Sequence, residues 1–199
     1  MDFVQRTQQT YVAIARRYFE TNVDRSPLLP HLQAFCANLP AGWPVLDVGC
    51  GPGFDAAWLR EYGVMAYGVD LSLAMMQTGR PFFPQVPFTQ ADMAYLPFAS
   101  RTFGGVWASA SLLHIPREQV TAVLAELRRV LLPGGILYLS VKAGNGEGWA
   151  GKPGKKRFFV YWQPAQLDAV LVKSGFTLLE ENQTVVRGVW LNRLLKKIE

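Results

Sequence analysis

Tyr11, Ile14, Ala15 and Tyr18 recur at the i, i+3, i+4, i+7 interval, which gives a helix one apolar face before any strand begins. Asp24, Ser26, Pro27 and Pro30 interrupt that pattern, a short second helix is expected over 31–38, and Pro40-Ala41-Gly42 turns the chain. Beyond Pro44 the periodicity switches repeatedly between strand and helix, with strands expected at 45–48, 65–69, 86–91, 105–110 and 136–141. Between them, Phe54, Trp58 and Tyr62 mark one helical stripe and 71–79 offers a helix opened by Ser72. The clearest helix carries Val120, Val123, Leu124, Leu127 and Leu131 on one face, with Pro133-Gly134-Gly135 expected to stop it. Residues 144–154 hold so much glycine that they read as a mobile loop. A helix over 163–174 and two strands, 176–179 and 185–191, joined as a hairpin, complete the pattern. Alternating strands and helices predict an α/β fold: a parallel sheet with helices on both faces.

Residues 45–53 read Val-Leu-Asp-Val-Gly-Cys-Gly-Pro-Gly, a buried strand running into a three-glycine turn. Gly49, Gly51 and Gly53 let backbone approach a ligand where a Cβ would collide, and Asp70 ends the next strand, where a carboxylate can accept both hydroxyls of a ribose. A nucleoside cofactor is therefore expected. A dinucleotide fingerprint wants a third glycine where Phe54 stands, and Asp47 puts negative charge beside the turn, which suits an ammonium or sulfonium better than a pyrophosphate. Together VLDVGCGPG and the following GVDLS resemble the class I S-adenosylmethionine-dependent methyltransferases.

The resemblance covers the chain from about Pro44 onward. It implies a three-layer αβα Rossmann-like fold with a seven-stranded, mostly parallel sheet whose last strand is antiparallel. Residues 1–43 would be a helical cap on the methyltransferase domain, 44–199. It also implies S-adenosylmethionine as cofactor, with Asp47 and the backbone of Gly49, Gly51 and Gly53 at its methionine part, Asp70 at the ribose and Leu71 against the adenine. Asp92 and Met93 would form the adenine pair and Ala108 would touch the cofactor through its backbone. One departure is Gly104, where many members carry an acidic residue. His114 faces the acceptor in this reading, as a proton acceptor, or else caps the helix beginning at Arg117. Tyr11 and Tyr161 are the aromatics expected to wall an acceptor pocket, and Arg157 is placed to pair an acceptor carboxylate or phosphate if the loop carrying it closes as a lid.

With 199 residues, 50% of them hydrophobic, the chain suffices for one well-filled core and is short for two. The opening residues lack the apolar run of a signal segment, no stretch is long enough to cross a bilayer, and Cys36 and Cys50 are too few for a disulfide framework. These features favour a cytoplasmic protein. Cys50 inside the glycine turn reads as a small filler rather than a nucleophile, and no His or Cys cluster has metal-ligand spacing. The net charge of +5 is concentrated in Lys142, Lys152, Lys155, Lys156 and Arg157 against Glu147 alone: a solvated loop, or a patch for an anionic substrate or nucleic acid. A small-molecule methyltransferase is the first reading. An RNA or protein methyltransferase, a cofactor-binding module without catalysis and a nicotinamide oxidoreductase are the alternatives. The absence of an Asn-Pro-Pro-Tyr or Asp-Pro-Pro-Tyr tetrapeptide and of an aromatic stacking platform makes nucleic acid an unlikely partner.

Overall fold

The computed structural model describes residues 3–199. The N-terminal periodicity becomes α1, Phe3–Thr21, and α2, Leu29–Asn38, follows a 3₁₀ turn at Ser26–Leu28. The α/β part runs β1 (Val45–Val48), α3 (Phe54–Glu61), β2 (Ala66–Asp70), α4 (Leu73–Gly79), β3 (Phe88–Gln90), β4 (Phe103–Ser109), α5 (Arg117–Val130) and β5 (Leu131–Ala143). It ends with β6 (Glu147–Ala150), β7 (Arg157–Trp162), α6 (Pro164–Lys173), β8 (Phe176–Val185) and β9 (Val189–Lys197).

Among the described residues the sheet has nine strands rather than seven, and it forks at β5. Strands β3, β2, β1, β4 and β5 are parallel neighbours in that order. Beside the body of β5, from Ile136 to Lys142, lies β9, antiparallel, with β8 outside it. That path contains the seven strands expected, with the last one antiparallel. The two extra strands form a β6–β7 hairpin that joins the end of β5 through Lys142 and Ala143, paired with Tyr161 and Trp162. The hairpin occupies part of the glycine-rich stretch expected to be irregular. Strand pairing of Glu147–Ala150 with Val160–Arg157 satisfies the backbone there, and the glycines flank it or sit where no side chain is needed.

Two apolar layers cover the sheet. On one face Val120, Val123, Leu124 and Leu127 of α5 and Leu167 and Leu171 of α6 pack on alternate residues of β4, β5 and β7. On the other, Leu32 and Phe35 of α2 and Ala56, Ala57 and Leu59 of α3 cover Val45, Trp107 and Tyr138. The Trp107 and Tyr138 rings stack at 3.9 Å across β4 and β5, with Phe35 edge-on to Trp107. The inward face of α3 is therefore Ala56, Ala57 and Leu59. The Phe54, Trp58, Tyr62 stripe does not face β1: Phe54 stacks on Phe19 of α1, Trp58 is half-buried and Tyr62 is exposed. Helix α5 stops at Val130, before Pro133-Gly134-Gly135, whose residues lie in an irregular start of β5 where pairing jumps from Phe103–Leu131 to Gly105–Ile136. Gly104 leaves no room for the acidic side chain that the resemblance implies: a Cβ there would meet Trp43 Cβ at 2.6 Å.

Helix α1 lies over the carboxyl ends of the strands. Its Ala15 is buried and Tyr11, Ile14 and Tyr18 are half-buried, as its periodicity predicts. Thr7 Oγ1 accepts from the Phe158 N–H at 3.0 Å and Thr10 Oγ1 donates to the Lys156 carbonyl at 2.8 Å, so the helix is stitched to the β6–β7 hairpin. None of the helices among the described residues is long and apolar enough to span a membrane.

Candidate active site

A cavity of about 1020 Å³, counting the space open to solvent, lies between α1 and the carboxyl ends of β1, β2 and β4, where open α/β sheets bind ligands. Its floor is the glycine turn. Gly49, Gly51 and Gly53 all have positive φ, at 73°, 54° and 90°, a conformation glycine adopts without strain. The reasons for glycine differ: a Cβ on Gly49 would come 2.4 Å from Ser111 Cβ, and one on Gly53 would meet the Phe88 ring at 2.5 Å. Gly53 therefore serves the packing of the turn against β3 and lies outside the cavity wall, contrary to its expected place at the ligand.

Asp70, at the end of β2, is held from two sides. Its Oδ2 accepts from the Gly51 N–H at 2.8 Å and its Oδ1 from the Ser72 N–H at 2.7 Å, which leaves each oxygen a further lone pair for a ligand. Burial pushes its carboxyl up, against the pull of those two N–H groups. Ser72 is also the N-cap of α4 through Met75 N, so cap and carboxylate form one rigid turn. Asp47, on β1, is 2% exposed, and its Oδ2 has no hydrogen-bond partner among the described residues. Burial first, then the neighbouring Asp55, pushes the Asp47 carboxyl well up. Asp92 accepts from the Ala94 N–H at 2.9 Å, so it shapes its loop and still faces the cavity, together with Leu71, Ala91 and Met93.

The cavity wall holds residues that the sequence did not single out. Arg25 donates to both oxygens of Asp55 at 2.6 Å, and Asp55 also accepts from Trp107 Nε1 at 2.9 Å. At the end of β4 the wall is Ser109, Ala110 and Ser111 instead of Ala108, which is 1% exposed in the core below them. Ala110 takes a positive φ of 53°, with its N–H donating to Ser140 Oγ at 2.9 Å, and this kink carries Ser111 beneath Gly49. The run of small residues, Ala-Ser-Ala-Ser at 108–111, was the available signal for a strand end that must kink beside a glycine turn.

Across the cavity from the aspartates sits His114. Its Nδ1 lies 2.6 Å from the Phe158 carbonyl and its Nε2 lies 2.8 Å from Tyr11 Oη. A carbonyl can only accept, so Nδ1 carries the hydrogen and Nε2 receives the Tyr11 hydroxyl. Burial lowers the His114 pKa to about 4, with Arg157 and Lys142 acting in the same direction, and pushes the Tyr11 hydroxyl up. His114 does not cap α5, whose N-cap position is Pro116 and whose Arg117 N–H donates to Glu147 Oε2. Arg157 is not on the cavity wall. It stands behind Tyr11, donating to its hydroxyl oxygen at 3.1 Å. Tyr161 turns away, packing its ring on Phe159 while its carbonyl accepts from Arg117, and does not line the cavity.

Residues 45–135 match the methyltransferase-domain family. The methyltransferase GfsG of Streptomyces halstedii is 39% identical over 111 residues, 52% of this chain and 39% of that protein. An uncharacterized methyltransferase of Synechocystis is 28% identical over 178 residues, covering 85% of this chain and 84% of that protein. This chain spans less than half the length of the first curated relatives it matches. Among solved structures, the Burkholderia thailandensis 1,6-didemethyltoxoflavin-N1-methyltransferase, with 1,6-didemethyltoxoflavin and S-adenosylhomocysteine bound, superposes with a TM-score of 0.77 at 22% identity, over 96% of this chain and 87% of that one.

Proposed function

We propose that the chain, whose residues 45–135 match the methyltransferase-domain family, is a class I S-adenosylmethionine-dependent methyltransferase that transfers a methyl group from S-adenosylmethionine to a small-molecule acceptor. The observation that carries the cofactor assignment is Asp70, fixed by the Gly51 and Ser72 N–H groups with lone pairs free at the cavity, where a ribose diol would find two acceptors. The unpartnered Asp47 Oδ2 fits the ammonium of the cofactor's amino-acid part, whose charge would draw the buried carboxyl back down. Gly49 and Gly51 admit that part against the backbone, and Leu71, Asp92 and Met93 are placed for the adenine. In this reading the described part of the segment 1–43, from Phe3 on, is the cap and 44–199 the domain it covers.

The bound cofactor supplies an electrophilic methyl on a sulfonium. The protein's own contribution is alignment and exclusion of water: α1 roofs the cavity through Tyr11 and Gln8, and His114 and Ile115 bound the acceptor's side. His114 Nε2 is unprotonated and accepts from the Tyr11 hydroxyl, so it holds Tyr11 against the acceptor's side of the cavity rather than serving as a strong base.

Calorimetry with S-adenosylmethionine and S-adenosylhomocysteine, on the wild type and on Asp70→Ala and Asp70→Asn, tests the assignment. Micromolar binding by the wild type, lost with Ala and weakened with Asn in variants that remain folded by circular dichroism, supports it. A folded wild type that binds neither ligand refutes it.

A further inference from the structure

The cavity is electrically two-sided. Asp47, Asp55, Asp70 and Asp92 all lie on the side of the glycine turn, with Arg25 neutralising Asp55. The opposite side holds Tyr11 and His114, and behind them Arg157 and Lys142. Neither of these two cations forms an ion pair among the described residues. The Arg157 guanidinium and the Lys142 ammonium sit 5.2 Å and 5.3 Å from the centre of the same Phe159 ring, and Arg157 Nε is buried without a partner. Two cations gathered on one ring without an anion are costly, and burial together with Arg157 holds the Lys142 ammonium below its ordinary range.

The hydrogen bonds at this end all point one way. Arg157 donates to the Tyr11 oxygen, Tyr11 donates to His114 Nε2, and His114 Nδ1–H donates to the Phe158 carbonyl. Arg157 thereby polarises the Tyr11 hydroxyl, whose hydrogen is engaged by His114 Nε2. We propose that the acceptor is an oxyanion, a carboxylate or an ionised phenol or enol, bound with its charge toward the Arg157 and Lys142 cations that stand behind Tyr11. The proposal rests on the methyl-transfer reading and names its substrate class.

The chemistry is consistent with that charge. A neutral hydroxyl acceptor must lose a proton, and at this end of the cavity the groups available to take it are His114, a weak base at about 4, and no carboxylate. An acceptor oxygen that arrives ionised forms the new bond to the methyl carbon with a lone pair, while the electron pair of the breaking carbon–sulfur bond stays on sulfur. Charge on the two reactants cancels and no proton is left to remove. Outside the cavity, Lys152, Lys155 and Lys156 at the hairpin tip and Arg6 on α1 are exposed and would draw small anions toward the mouth.

Matched probe pairs test the proposal without needing the natural acceptor: cinnamate against cinnamamide, and 4-nitrophenolate against 4-nitroanisole, titrated at pH 8 into protein saturated with S-adenosylhomocysteine. The anionic member is expected to bind about tenfold tighter than its neutral mate. Arg157→Met should abolish that preference, Arg157→Lys should restore part of it, and Lys142→Met should reduce it, all with S-adenosylhomocysteine affinity unchanged. If no anionic probe binds better than its neutral mate, or if the preference survives Arg157→Met and Lys142→Met, the proposal is overturned. Binding of S-adenosylhomocysteine is measured first. Its absence is the failure of the methyltransferase reading, and the anion preference is then read on the free protein and judged by the same criterion.

Discussion

Gly49→Ala separates two costs that the glycine turn avoids, because the structure names the atom responsible for each. The first is conformational: at φ 73° an alanine lies in the left-handed region, at about 1–2 kcal/mol. The second is steric: the new Cβ would stand 2.4 Å from Ser111 Cβ, and overpacking of that kind costs about 1–3 kcal/mol. The single variant should therefore lose about 2–5 kcal/mol, a large share of the ~5–15 kcal/mol that holds a domain together. Ser111→Gly removes the clashing atom and leaves the backbone cost. The double variant should then recover about 1–3 kcal/mol relative to the sum of the singles, the coupling of a double-mutant cycle. Ala110, one residue before Ser111, already sits at φ 53°, so alanine is tolerated in this geometry and the clash decides the outcome. Urea unfolding followed by far-ultraviolet circular dichroism gives the four free energies. Additivity of the singles within about 0.5 kcal/mol would refute the argument, since the two Cβ positions could not then be competing for one space.

Three further outcomes follow from buried charge and packing. His114 titrates at about 4 in the folded protein against 6.5 ordinarily, so on acidification the unfolded chain takes the proton first. Stability attributable to this residue falls from pH 6.5 to pH 4 by up to about 3 kcal/mol, and His114→Gln should lose that slope in urea midpoints measured at pH 7, 5.5 and 4.5. An equal slope in the variant would contradict the burial of a neutral imidazole. Asp55→Asn leaves the Arg25 guanidinium without its carboxylate and should cost about 3–5 kcal/mol in the same assay, whereas adding Arg25→Met to Asp55→Asn should recover part of it, because the amide oxygen can still accept from Trp107 Nε1. Gly104→Asp should lower the melting temperature by several degrees because Trp43 and Pro40 occupy its Cβ space. An unchanged melting curve would mean that the turn 40–43 yields freely.

Period and turn chemistry made most of the fold legible. The strand at 45–48, the Ser72 cap and the apolar face of α5 are local features, and local features are what a sequence displays. The failures share a cause in tertiary pairing. Residues 144–154 carry glycine at positions that would discourage an isolated strand, yet Glu147–Ala150 needs only a partner to satisfy its backbone, and Arg157–Val160 provides one. Phe54, Trp58 and Tyr62 form a regular helical stripe, yet Ala56, Ala57 and Leu59 face the sheet, while Phe54 is taken up by Phe19 of α1, a tertiary partner that the helix's own period does not show.

The site divides along the same line. Its aspartates and glycines stand at strand ends one after another, so their order along the chain is also their order around the cavity floor. The opposite wall is assembled from Tyr11, His114 and Arg157, separated by 103 and 146 positions in the contacts that join them to Tyr11, and no spacing rule spans such distances. What brings them together is the β6–β7 hairpin, which adds to the end of β5 and is tied to α1 by Thr7 and Thr10. Phe158, on that hairpin, sets the His114 tautomer through its carbonyl, and its neighbour Arg157 reaches Tyr11. The hairpin thus fixes at once the roof of the cavity, the protonation of its imidazole and the sign of the charge behind it. Loosening the hairpin, for example with Thr7→Val, which removes the acceptor of the Phe158 N–H, should disturb acceptor binding more than cofactor binding, since every aspartate contact lies on the other side.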